Sequence, residues 1–305
     1  RQHLAGGSLY PAVTDPRLFE PGAAVFKFPP LYLLPYLPFV AGGEPAGFYT
    51  ALWAVNIFLY ASGVLLCMQA LFRQASWPVH AGAITVACLF TPFLECLFGL
   101  TFEILLFFLL SLVLWQLSRT GRFMASGLAL AAMMKIYPAT MALSLLFRDR
   151  VALLRYLFAA AAFVMLAVLA MGLDVSRQFY AAILPELMQE LPLATHKNLA
   201  FVGVLLLKGM PAEILPQTWL AFRLVLLLGV VSLLWFSSRR PATRERLLLE
   251  FAFMVCVMLM WLPNSWFSYQ LVLLLPVFIL FRFGVLDRAG DDTGITLLLV
   301  AVVPL

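Results

Sequence analysis

Apolar runs of near-bilayer length recur along almost the whole chain, and no other feature constrains its fold as strongly. Continuous runs read as helices at about 48–72, 79–98, 102–118, 123–147, 156–172, 218–237, 247–262 and 266–284. About 20 consecutive apolar residues cross a hydrocarbon core about 30 Å thick. Of the 305 residues, 64% are hydrophobic and only 11% charged. Soluble domains carry about 25% charged residues, and a soluble fold of this size could not cover its core with so few. A soluble enzyme, a nucleic-acid-binding domain and a disordered tail are thereby excluded. The expected fold class is all-α: a polytopic transmembrane helical bundle with outer-face loops and short re-entrant or interfacial helices.

Residues 1–305 read as one integral membrane domain. An outer loop with an interfacial helix occupies 1–47, spans fill 48–172 with a hairpin near 123–147, a second outer loop covers 173–217, and C-terminal spans follow over 218–305. Two shorter Pro-punctuated runs, Leu31–Val40 and Leu199–Leu207, read as interfacial or re-entrant. The chain opens on Arg1 rather than Met, and the apolar run from Gly294 stops at Leu305. The sequence is therefore expected to be a fragment of a longer one.

The net charge of +5 reports topology rather than nucleic-acid affinity, because Lys and Arg accumulate in cytoplasmic loops. Five basic clusters flank span ends: Arg73; Arg119 with Arg122; Arg148 with Arg150 and Arg155; Arg239, Arg240, Arg244 and Arg246; and Arg282 with Arg288. Assigning all five to the cytoplasm breaks the alternation of spans once, since Arg122 and Arg148 flank a single apolar run. A hairpin of two half-helices turning at Lys135-Ile136-Tyr137-Pro138 resolves the conflict. Proline cannot continue the hydrogen-bond ladder, and the residue before it avoids the helical region. A lysine at membrane depth needs a polar cavity or an anion. Broken helices are tolerated where they line such a cavity.

The opposite, outer side carries mixed charge, and its segment Asp174–Asn198 interleaves Phe179, Tyr180, Leu184, Leu187, Met188 and Leu191 with polar groups. That pattern suits a helix lying on the membrane surface, an outer roof over an intramembrane cavity. The sequence lacks a GxxxxGK[ST] phosphate loop, a GxGxxG turn, HExxH, a GxSxG elbow and an acidic DxD pair on a plausible active face. Cys67, Cys88, Cys96 and Cys256 lie in apolar runs without a CxxC spacing and read as small packing residues. No metal or cofactor is expected.

Four constellations remain. Lys27, between Phe26 and Phe28 and ahead of Pro29-Pro30, reads as a contact to a lipid phosphate or as an interfacial anchor. Lys135, at the hairpin tip, reads as a phosphate binder or as a snorkelling lysine. His196 and Lys197 can meet a phosphate, while Asn198 can cap the following helix; a solvated loop would look the same. Glu95 and Glu103 flank Gly99, with Pro263-Asn264-Ser265-Trp266 on another turn. A carboxylate at a helix start, as at Glu103, is favoured by the helix dipole, and Trp266 reads as a belt residue or a sugar-stacking ring.

In this order the constellations resemble the glycosyltransferase 87 family of polyprenyl-phosphate-mannose-dependent mannosyltransferases, within the GT-C superfamily. Leu4 to Tyr10 (LAGGSLY) resembles that family's l-x-G-x-x-l-Y, and Phe26 to Leu31 (FKFPPL) its F-x-Y-P-P-L. Gly127 to Pro138 (GLALAAMMKIYP) is similar to its K-x-Y-P hairpin, His196 to Leu199 to an N-Q-S-l loop, and Pro263 to Trp266 to s-P-x-S-W. Two departures stand out. Gly99-Leu100-Thr101-Phe102-Glu103 replaces a Gly-Gln pair with Asn, and Phe267 follows Trp266 where the family usually has His.

The resemblance implies a GT-C-like multi-pass protein of the plasma or inner membrane. It implies inverting transfer of a sugar, mannose by the family's habit, from a polyprenyl-phosphate sugar donor to a glycolipid or glycan acceptor, in contact with membrane lipid and without nucleic acid. A carboxylate takes the acceptor's proton and cations stabilise the departing phosphate. Carried onto this sequence, Lys135, Lys197, His196 and Lys27 stand at the donor phosphate, with Tyr137, Asn198, Glu103 and Trp266 in support. The family's base aspartate falls before Arg1 by its spacing, which leaves Asp15 and Glu20 as the nearest substitutes. A non-catalytic transporter or lipid-handling scaffold would also explain broken helices and an intramembrane lysine, although no second copy of the KxYP or FPP element appears. A structural or assembly subunit is the third reading.

Overall fold

The computed structural model describes residues 28–36, 45–99, 101, 103–195 and 198–286. Their regular structure is helical, apart from an isolated antiparallel bridge between Asn198 and Trp266. The apolar runs become α1 (Pro45–Leu71), α2 (Trp77–Leu89), α3 (Thr91–Gly99) and α4 (Glu103–Thr120). Next come α5 (Ala125–Met134), α6 (Ala142–Arg148) and α7 (Arg150–Met171). An arm follows in two pieces, α8 (Leu173–Gln178) and α9 (Leu184–Gln189), joined by a π-helical turn at Phe179–Ile183. After it lie α10 (Phe201–Leu207), α11 (Leu215–Ser238), α12 (Arg244–Met260) and α13 (Leu274–Leu280).

Among the described residues, four helical segments are long and apolar enough to cross a membrane: Tyr49–Leu71, Glu103–Thr120, Arg150–Met171 and Ala212–Ser238. The α2–α3 pair, bent by 47° before Thr91-Pro92, makes a fifth if it counts as one span. Eight complete segments were expected from the sequence. The difference lies in α5–α6, which is broken, and in α12 and the 267–286 segment, which are short. Phe251, Met254, Val255, Met258, Phe278 and Ile279 are fully buried, so these segments form the interior of the bundle. Their apolarity reflects burial in protein, which a sequence run alone does not separate from contact with lipid.

The core joins α1, α2, α4, α5, α12 and α13 in one apolar cluster. Tyr60 of α1 donates its hydroxyl to the Ala87 carbonyl of α2 at 2.6 Å and stacks on Phe93 at 3.7 Å. Gly63 permits the close approach of α1 to α4, since a Cβ there would fall 2.7 Å from the Phe107 ring. Small residues at helix contacts serve this purpose in membrane bundles, where lipid supplies little driving force for association.

Most of the arginines sort to one end. A basin of about 990 Å³ is lined by Arg73, Arg119, Arg244 and Arg282, which come from the ends of four different segments. Arg148, nearby in the fold, donates to Glu250 at 2.8 Å and to the Arg240 carbonyl at 3.3 Å. The pair is buried and pins α6 to α12; the Ser237 hydroxyl of α11 also donates to Glu250.

The hairpin follows from the same sorting. Arg122 to Ser126, at the start of α5, line one pocket with Asp149, Val151, Ala152 and Arg155, at the start of α7. The chain therefore leaves the basic end along α5 and returns along α6. At the tip Lys135 is extended (φ −142°, ψ 133°), and a 3₁₀ turn at Tyr137–Met141 carries Pro138 in its first turn. Asp149 then caps α7, accepting from the Ala152 N–H at 2.9 Å, which satisfies one of the orphan donors of a helix start.

Candidate functional site

The helix directions bring Glu103, Lys135, Trp261 and the start of α11 to the end opposite the arginine basin. An 18-residue helix such as α4 is about 27 Å long, which sets the separation of the two ends. There the arm packs down as a roof: Val175, Phe179 and Ile183, with Leu184 and Leu187, close over Ile136 of the hairpin tip and over Leu33 and Leu34. The last two belong to the 3₁₀ helix Pro30–Tyr36. Burial in this layer pushes the Tyr180 phenol above its usual range. Under the roof lies a cavity of about 180 Å³, lined by Phe28, Lys135, Tyr137, Glu190, Arg223 and Trp266, among others.

Lys135 is the more enclosed of the two described cations that line it, 4% exposed, and its ammonium forms a hydrogen-bonded ion pair with Glu103, 2% exposed. Aromatic rings complete the surround: the Lys135 Nζ is 4.1 Å from the Tyr269 centroid, 5.0 Å from Phe28 and 5.7 Å from Tyr137. Ring faces attract cations most strongly where water is excluded. Tyr137 stacks on Tyr269 at 5.7 Å, and its buried hydroxyl has no hydrogen-bond partner among the described residues. Glu103 does sit in the first turn of α4, where the dipole favours it, but it also neutralises the hairpin lysine.

A second polar knot forms the cavity's other wall. Asn198 donates to the Leu193 carbonyl at 2.9 Å and to Asn264 Oδ1 at 2.8 Å, and accepts from the N–H groups of Ala200 (3.0 Å) and Ser265 (2.9 Å). Asn264 in turn accepts from the Leu193 N–H and donates to the Glu190 carboxylate at 2.8 Å. The Leu199 N–H bonds the Ser265 carbonyl at 2.8 Å. Two loops distant in sequence are thus fastened into one wall that carries Glu190 and Trp266. Asn198 does not occupy the cap position of α10, which is Ala200. Its side chain is consumed by the cross-link to the Pro263–Trp266 turn, a competing partner invisible in the local sequence.

Of the residues singled out in the sequence, Lys135, Tyr137 and Trp266 line this cavity, with Glu103 behind Lys135 and Asn198 in the supporting knot. Asp15, Glu20, Lys27, His196 and Lys197 lie outside the described residues. Glu190, Arg223, Asn264 and Tyr269 also line the cavity and were not site candidates. Asn264 stood in the Pro263–Trp266 element and Glu190 among the outer charges, but their roles come from the loop–loop contact. Arg223 did give a local signal: it is an ionisable residue within the apolar run 218–237, which marks a functional position by default. Cys67 and Cys96 are buried free thiols, donating to the Ser111 hydroxyl and the Ser268 carbonyl, respectively.

The arrangement can receive a small polar headgroup from the lipid side, hold it among aromatic faces, and set cations beside a carboxylate. Comparison with known proteins agrees with a membrane enzyme. The family model described as glycosyltransferase family 87 matches residues 26–263, well over half of the chain, from the FPP element through the hairpin to Pro263. No curated protein and no solved structure matches the chain.

Proposed function

Because the chain belongs to glycosyltransferase family 87, it is a membrane glycosyltransferase, and we propose that it takes its sugar from a polyprenyl-phosphate donor held in the cavity beneath the roof. The observation that supports this reading is the position of the cavity at the end of the bundle away from the basin of Arg73, Arg119, Arg244 and Arg282, walled by the hairpin tip and the lipid-facing helix α11. By the bias of basic residues to the cytoplasm, that end is the outer face. A donor that stays in the membrane needs no nucleotide site.

The transfer inverts the anomeric centre. An acceptor hydroxyl oxygen attacks the anomeric carbon, the bond from that carbon to the phosphate oxygen breaks, and its electron pair leaves with the polyprenyl phosphate. The acceptor's proton passes to a carboxylate, for which Asp15 and Glu20 of the N-terminal segment are proposed. Cations stabilise the charge that develops on the leaving phosphate, and they act strongly in a water-poor site. Lys27, His196 and Lys197 are proposed to reach it from the flanking loops. Lys135, whose charge is shared with Glu103, holds the tip in place and offers its remaining donors to the cavity, while Tyr137 and Trp266 form the wall against the sugar.

The test is transfer from polyprenyl-phosphate-mannose by the full-length protein in liposomes containing membrane acceptors. Mannose transfer, or slow hydrolysis of the donor without acceptor, is expected. Folded protein that does neither, or that uses a nucleotide sugar instead, overturns the donor assignment; donor movement across the bilayer without turnover would favour a transporter.

A further inference from the structure

Among the described residues that line the cavity, Lys135 and Arg223 are the cations, and Arg223 is the one without an ion pair. Lys135 is matched by Glu103 and Arg148 by Glu250, but Arg223 forms no ion pair among the described residues. It is the ninth residue of α11, about 12 Å along the helix from Leu215, within the span Ala212–Ser238. Its Nη1 donates to the Met188 carbonyl at 3.3 Å, and its buried Nε has no partner among the described residues. The guanidinium is held over Trp219 at 4.3 Å and lies 5.6 Å from the Trp261 ring, so its plane is fixed by packing before any ligand arrives.

A lone guanidinium at this depth is costly unless an anion completes it. It keeps several of its five donors for that anion, in a planar fork that matches phosphate oxygens. Its helix neighbour Leu224 is exposed on the flank of α11, so a headgroup can approach from the lipid while its tail stays outside. We propose that Arg223 binds the phosphate of the lipid-linked substrate from the helix side of the cavity, in addition to the cations proposed for the flanking loops. The inference rests on the donor class proposed above and names the residue that recognises it. Lys135 is a weaker candidate for the same task, because Glu103 already cancels its charge.

The experiment measures binding of polyprenyl monophosphate, the expected leaving group, to the full-length protein in phosphatidylcholine nanodiscs. Arg223→Gln is expected to weaken binding by about tenfold to a hundredfold, the range for losing a hydrogen bond to a charged group. Arg223→Lys, which keeps the charge without the fork, is expected to lose less. Polyprenol, which lacks the phosphate, should bind the wild type and both variants alike, and inorganic phosphate and phosphatidylglycerol should not displace the probe.

Equal binding of polyprenyl monophosphate by the wild type and Arg223→Gln overturns the inference alone. So does an equal loss of polyprenol binding, which would mark a structural role, or displacement by phosphatidylglycerol, which would assign Arg223 to bulk lipid. Failure of the unaltered protein to bind polyprenyl monophosphate overturns the donor class and this inference with it. Should Arg223→Gln not fold, the comparison of wild type with Arg223→Lys decides: unchanged phosphate affinity on loss of the fork contradicts the proposal.

Discussion

Removing either partner of the Lys135–Glu103 pair leaves a buried charge without its hydrogen-bonded counter-ion. Glu103→Leu or Lys135→Met alone is expected to cost about 3–5 kcal/mol of stability, while the double variant regains most of it. Thermal unfolding of the four proteins in detergent checks the cycle, and additive losses would contradict the pairing. A glycine supplies the second test at this scale. A Cβ on Gly203 would fall 2.5 Å from Asn198 Nδ2, so Gly203→Ala should loosen the loop–loop knot at about 1–3 kcal/mol. Gly229→Ala on α11, with nothing near its Cβ, should be neutral or stabilising by up to about 1 kcal/mol; matching melting shifts would count against the knot.

What could be read from single residues followed the cost of burying charge. Lys135 stood out because a lysine beside Pro138 in an apolar run is expensive. Its partner did not, since Glu103 already had a sufficient local explanation at a helix start. Arg223 carried the same signal as Lys135 and was passed over within a run treated as uniformly apolar. Asn264 and Glu190 lay in segments already marked, but what pairs them is a contact between loops that the sequence does not display.

Among the elements, the broken helix α5–α6 carries the site, because it returns the chain to the basic end and leaves Lys135 at the opposite one. Charge sidedness together with Pro138 pointed to a turn here, since one helix would put Arg122 and Arg148 on opposite faces, and the helix is broken between Met134 and Tyr137. The interior placement of α12 and of the 267–286 segment was not legible, because apolar residues facing protein and facing lipid look alike in a sequence. Labelling of single cysteines tests the hairpin directly in a background lacking the four native ones. Ser126→Cys and Arg155→Cys, whose parent residues line one pocket, should react with an impermeant maleimide from the same side of a sealed vesicle. Met188→Cys, in the arm, should react from the other. Labelling of Ser126→Cys and Arg155→Cys from opposite sides would turn the hairpin back into a single crossing.

At the scale of the molecule, the structure is polarised: arginines gather around a basin at one end, and a roofed cavity with aromatic walls lies at the other. Composition made the membrane bundle plain, and the order of short motifs made the family recognisable. The roof itself could be anticipated as an amphipathic segment, but its seat on Ile136, Leu33 and Leu34 required the fold.

The proposed function places sugar transfer in the roofed cavity, and a side chain that fills that space should stop it. Leu187 lines the cavity and Gln74 lines the basin at the arginine end. The measurement is the rate of sugar transfer from polyprenyl-phosphate-mannose by full-length Leu187→Trp and Gln74→Trp, each verified as folded by its melting transition. Leu187→Trp is expected to lose at least tenfold in rate while Gln74→Trp keeps the wild-type rate. Undiminished transfer by Leu187→Trp, with Gln74→Trp inactive, would place the reaction at the other end of the bundle and contradict the proposed function.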